Sequence, residues 1–96
     1  MGFDDIPSHV YSASSAPVVA TPAYLVSATL TPGSTNSSLL LKNGGAGGTT
    51  LVDLKSVANG PTVSWNCGGY PIFFTTDIDA TLAGTAASYY CTFLKR

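Results

Sequence analysis

The sequence predicts an all-β protein: a single small antiparallel β-sandwich or jelly-roll-like domain of about seven strands behind an extended N-terminal arm. Three observations carry this. The long unbranched residues that keep their rotamer freedom in a helix are nearly absent, with no Glu, no Gln, three Lys, one Arg and one Met. Ser, Thr, Gly, Val, Tyr and Phe, the residues of strands and turns, dominate instead. Turn signals also recur at roughly eight- to twelve-residue spacing, the cadence of a sandwich or small barrel. A chain of 96 residues is one domain.

Residues 1–22 differ from the rest. Pro7, Pro17 and Pro22 with Ser- and Ala-rich spacing favour extended backbone. The apolar groups Phe3, Ile6, Val10, Tyr11, Val18 and Val19 are too many for a plain flexible linker. An arm lying against another surface is the expectation, and a loose terminus is the other reading.

The sandwich domain is expected over 23–96. AYLVSATLT (23–31) runs to the turn at Pro32-Gly33, and SLLLK (38–42) to the loop NGGAGG (43–48). TTLVDLKSV (49–57) ends at Asn59-Gly60-Pro61, and TVSWNC (62–67) at Gly68-Gly69. YPIFFTT (70–76), DIDATLA (77–83) and, beyond Gly84, SYYCTFLK (88–95) complete the set. In TVSWNC, Val63, Trp65 and Cys67 share one face and Thr62, Ser64 and Asn66 the other, so this strand has a dry and a wet side. SYYCTFLK, SLLLK and YPIFF are apolar on both sides. A sandwich this small has one core, so such strands need something further to pack against. The expected partner is a second copy or a larger body.

Charge narrows the function. Charged residues make up 9% of the chain and the net charge is −1, against roughly 25% charged residues in an ordinary soluble domain. Four basic residues cannot neutralise a phosphate backbone, so no nucleic-acid partner is expected. No apolar run reaches the length of a membrane span, so no membrane partner is expected either. The N-terminus lacks the basic start and unbroken apolar stretch of a signal peptide, which predicts synthesis and solubility in a cytoplasm. Ile6 stands where a myristoylation signal needs Ser or Thr.

The motifs that suggest chemistry fall short of it. NGGAGG is followed by Thr49-Thr50 opening a strand, where a phosphate loop needs Lys and a helix, so a flexible hairpin connection is expected. Asp77 and Asp79 share a strand face without the further oxygens a Ca²⁺ ion requires, and read as a solvated edge. His9 is the sole histidine, and no Glu accompanies it, so neither an acid/base pair nor a zinc site is expected. Asn36-Ser37-Ser38 matches a glycosylation acceptor, a pattern common by chance. The expectation is no enzyme, no cofactor and no metal.

Cys67 and Cys91 allow one disulfide; without a secretory leader, two reduced thiols behaving as small hydrophobes are expected. The run SYYC resembles the F strand of an immunoglobulin domain, with Tyr89 two residues before Cys91. The order fails, because Trp65 precedes both cysteines and the chain ends five residues after Cys91.

The overall cadence resembles another family. YLVSATLTPGST, SLLLKN, the Gly-rich loop, TLVDLKSVANG, TVSWN, GGYPIFF, LAGTAAS and SYYCTF are similar to the small capsid decoration, or cement, proteins of tailed bacteriophages, especially those of cyanobacteria. The resemblance spans residues 23–94. It implies a non-enzymatic virion structural protein that binds the outer capsid surface, with the major capsid protein as partner, often as a trimer. Phe3, Ile6, Val10, Tyr11 and Val18 of the arm, with Tyr90 and Leu94 of the last strand, are the expected partner-binding residues. The alternative is a tail fibre or spike, or a carbohydrate- or receptor-binding β module, in which Trp65, Tyr70, Tyr89 and Tyr90 stack on sugars.

Overall fold

The computed structural model describes residues 8–95. Within them lie nine strands: β1 (Ser8–Ser12), β2 (Ala16–Val19), β3 (Ala23–Thr31), β4 (Ser37–Asn43), β5 (Thr49–Ser56), β6 (Val63–Asn66), β7 (Ile72–Phe74), β8 (Ile78–Ala83) and β9 (Ser88–Lys95). The protein is all-β, and β3 to β9 are the seven segments that the turn signals delimit.

Two antiparallel sheets face each other. The first runs β1-β9-β3-β6, with β7 also paired to β3, and the second runs β2-β8-β4-β5. β6 holds residues 27–30 of β3 while β7 holds residues 23–25, so these two form one interrupted edge strand. Counted that way each sheet has four positions, and the chain crosses between sheets in jelly-roll order.

The arm expected over 1–22 is corrected for most of its length. Residues 8–12 pair with β9 and residues 16–19 pair with β8, so each closes one edge of a sheet. Their strand signal is weak for physical reasons. β1 turns His9 and Tyr11 outward and the small residues Ser8 and Ser12 inward, and β2 carries Pro17 beside a register shift. Val10 packs against the core and Val18 is part of it, so neither extends from the domain. Phe3 and Ile6 lie outside the described residues.

The core fills the space between the sheets. Leu25, Ala28, Leu30, Tyr89, Cys91 and Phe93 of the first sheet meet Leu39, Leu41, Val52, Leu54, Ile78 and Ala80 of the second. Burying each large apolar side chain among them contributes about 1.5–3 kcal/mol. In β3 the pairing with β9 slips between Leu25 and Ser27, leaving Val26 as a bulge. The extra residue lets both Leu25 and Ala28 face inward although they are three apart.

One end of the sandwich is tied together at Gly33. Its N–H donates to Ser37 Oγ at 3.2 Å and its carbonyl accepts from Asn59 N–H at 2.8 Å. A Cβ there would collide with the Thr85 carbonyl oxygen and the backbone of Ala86 and Ala87, so the close approach of these loops requires glycine.

Both cysteines are free thiols, Cys67 half-buried and Cys91 buried. Burial pushes the Cys91 thiol up to about 12. Burial also raises the Tyr89 phenol above its usual value, opposed by the Ser12 hydroxyl, and its oxygen lacks a partner in hydrogen-bonding geometry among the described residues. Both groups therefore keep their protons in the folded chain at pH values where the unfolded chain loses them. These two groups leave stability unchanged below about pH 8 and lower it as pH rises toward about 12, with a slope of up to ~1.4 kcal/mol per pH unit for each differing group. Denaturant titrations across this range should show the fall, and Cys91→Ala should flatten its thiol contribution while costing about 1 kcal/mol at neutral pH. A disulfide-exchange reagent should label one thiol per native chain and two in denaturant; rapid native labelling of both would contradict the burial of Cys91.

Candidate functional site: the outer face of the first sheet

Strand alternation sends one residue in two away from the core. On the first sheet the outward set aligns in rows set by register. Tyr11, Tyr90, Thr29 and Ser64 form one row, since Tyr11 pairs Tyr90, Tyr90 pairs Thr29 and Thr29 pairs Ser64. His9, Thr92 and Ser27 form the next, and Leu94, Tyr24 and Phe73 the third.

Contacts along these rows hold the side chains in place. The His9 ring stacks on Tyr90, centroids 5.6 Å apart, and its Nδ1 lies 3.1 Å from Thr92 Oγ1. Thr29 Oγ1 and Ser64 Oγ are 3.2 Å apart. The Tyr24 and Phe73 rings meet at 4.7 Å with a 31° tilt. Tyr11 is 68% exposed and Tyr90 41% exposed, so their rings present apolar surface to whatever lies above the sheet.

The second sheet's outer face has the opposite character. Lys42 sits beside Asp79 in register, and Lys55 forms a 2.7 Å ion pair with Asp53. No Asp, Glu, Lys or Arg among the described residues stands in the three rows of the first sheet. One face is thus charged and solvated, while the other carries four aromatic rings, a histidine and a leucine.

The expected partner-binding residues divide accordingly. Tyr11, Tyr90 and Leu94 come together on the outer face, and Val10 and Val18 turn to the core. His9, Tyr24 and Phe73 join the face without having been expected among the partner-binding residues; Tyr24 alternates with Ala23 and Leu25, both fully buried. For sugar stacking, Trp65 packs against the core and Tyr89 is buried, which leaves Tyr70 and Tyr90 of the four aromatics considered.

The Gly-rich loop is better organised than the flexible connection expected. Asp77 Oδ1 accepts the N–H groups of Gly44 at 2.9 Å and Gly45 at 3.1 Å, filling the small anion-accepting nest those two amides make. Asn43 reinforces it, donating to Thr75 Oγ1 and accepting from Thr76 N–H, each at 2.9 Å. Asp77 therefore fastens the β4–β5 hairpin to the β7–β8 loop and is not a plain solvated edge. Among the described residues, no group of three or more His, Cys, Asp or Glu is placed to hold a metal ion. Asp77→Ala should lower stability by about 1–3 kcal/mol in chemical denaturation and speed amide exchange at Gly44 and Gly45. Unchanged exchange at those amides would refute the tether.

No family model and no curated protein matches the chain. Among solved structures it is similar to a protein of Bacillus endospore appendages, described as a novel family of disulfide-linked pili. The TM-score is 0.57 at 18% identity, over 98% of this chain and 88% of that one. At that identity the likeness carries the fold, an all-β sandwich.

Proposed function

We propose that the chain is a non-enzymatic structural subunit that works in many copies, packing the outer face of its first sheet against neighbours in a large surface assembly. The observation that carries this reading is the segregation of charge. Of the five charged residues in the described strands, Lys42, Asp53, Lys55 and Asp79 stand on the second sheet, while Lys95, at the end of β9, lies outside the aromatic rows of the first. An uncharged aromatic face loses little on desolvation and gains from close packing, the composition of an interface core.

Two settings fit such a subunit. The fold likeness to an endospore pilus protein supports a surface appendage built from repeated copies. The resemblance of the sequence cadence to phage cement proteins fits decoration of a capsid, with the major capsid protein beneath the aromatic face. In either setting, weak contacts act together through copy number.

Antibody against the purified chain, used to follow it through a density gradient of a source lysate, separates them. Sedimentation with DNA-filled particles and tail-less heads supports the capsid, and with shed filaments the appendage. Recovery solely as free protein at the top of the gradient refutes the assembly role. Within that experiment Tyr11→Asp combined with Tyr90→Asp should reduce incorporation by at least about tenfold, because each places a charge on the packed face. Both side chains point outward, so circular dichroism and melting should stay near wild type. Full incorporation of this double variant would exclude the face as the contact surface.

A further inference from the structure

A second recognition element lies on the open side of the sandwich, where β6 and β5 are the free edges. A cleft of about 540 Å³ opens there, with Val57, Pro61 and Val63 as its apolar lining and Ser38 and Lys55 among its polar groups. Val57 is 63% exposed within it.

On the same side, residues 67–70 form a tight turn that presents Tyr70. Gly68 (φ 63°) and Gly69 (φ 94°) occupy its centre, and Tyr70 N–H donates to the Cys67 carbonyl at 3.1 Å. Two central residues with positive φ and this closing bond describe a type I′ turn, which glycine adopts without strain. Cys67 N–H bonds to Val26 O at 3.0 Å and Gly68 N–H to Asn66 Oδ1 at 3.0 Å, so the turn is anchored at its base. Pro71 restricts Tyr70 to extended backbone. Tyr70 is 85% exposed, the most exposed large apolar side chain described.

A rigid, projecting tyrosine loses little entropy on burial, since its backbone is already fixed and its side chain has two rotatable bonds. The cleft lies at the start of β6 and the turn just past its end, about 13 Å apart by strand rise. A protrusion and a recess on one side of a molecule make that side self-complementary under a two-fold axis: each copy offers both parts to the other.

We propose that this side is a two-fold dimer interface in which Tyr70 of each copy enters the cleft of the other, its ring against Val57, Pro61 and Val63. The occupant follows from chemistry present in the chain itself. The cleft is large enough to admit a phenol ring against its apolar lining, and Tyr70 is a preformed group of that class on the same side. The contact is separate from the aromatic sheet face. It is measured on pure protein without any particle, so its failure leaves the assembly role standing.

The test is sedimentation equilibrium of the full chain over a concentration series. Wild type should show a monomer–dimer equilibrium, and both Tyr70→Ala and Val57→Asp should weaken it by at least about tenfold. Both residues are exposed, and unchanged melting curves confirm that the variants fold. Tyr70→Ala keeps a working cleft and Val57→Asp keeps a working tyrosine. An equimolar mixture should therefore restore one of the two contacts and form more heterodimer than either variant forms homodimer. A wild type that stays monomeric, variants that dimerise as wild type does, growth beyond the dimer, or a mixture no better than its components would each overturn the proposal.

Discussion

The pairing of β3 with β9 is the constraint on which the rest depends. It is an eight-pair register at the centre of the first sheet, joining residues 23–31 to residues 88–95. It aligns Leu25, Ala28 and Leu30 with Phe93, Cys91 and Tyr89 toward the core, and thereby turns Tyr24, Thr29, Tyr90, Thr92 and Leu94 outward. Because strand side chains alternate, a one-residue slip would exchange the two sets. The core and the aromatic face are two consequences of one register.

The bulge at Val26 within that pairing shapes the open side. Where Val26 interrupts β3, its carbonyl accepts Cys67 N–H, and the neighbouring edge strand breaks into β6 and β7. The break needs a connection, and the turn at residues 67–70 supplies it. A continuous strand would have paired Tyr70 into the sheet. The exposed tyrosine thus originates in a correction of hydrophobic phase in the neighbouring strand β3, and the Gly68-Gly69 dipeptide makes that correction local.

Much of this was legible in the sequence. The seven central strands were bounded by Pro-Gly, Asn-Gly-Pro and Gly-Gly signals whose backbone demands do not depend on tertiary context. β1 and β2 escaped because edge strands need bury only part of one face: Ser8, Ser12 and Ala16 are small, and Pro17 looks like a linker residue until its position on an open edge is known. Tyr90 and Leu94 were legible because β9 is apolar on both sides. Phe73 carried the same signal in YPIFF, but His9 and Tyr24 did not, since their membership of the face depends on which strands become neighbours. Asp77 was misjudged for the same reason, its amide partners lying 32 and 33 residues away.

Charge placement bears on how copies can meet. With Lys42, Asp79, Lys55 and Asp53 on the second sheet, that face keeps its hydration and resists stacking without a complementary partner. The first sheet has no such barrier, so a neighbour of either polarity can approach it. Edge-to-edge growth is limited on β2 by Pro17 and its register shift, and on β5 by alternating exposed charge. The aromatic face and the side bearing Tyr70 and the cleft point in directions set by two different surfaces. A small sandwich with two separate contact surfaces can both pair with itself and cover a larger body, because occupying one leaves the other free.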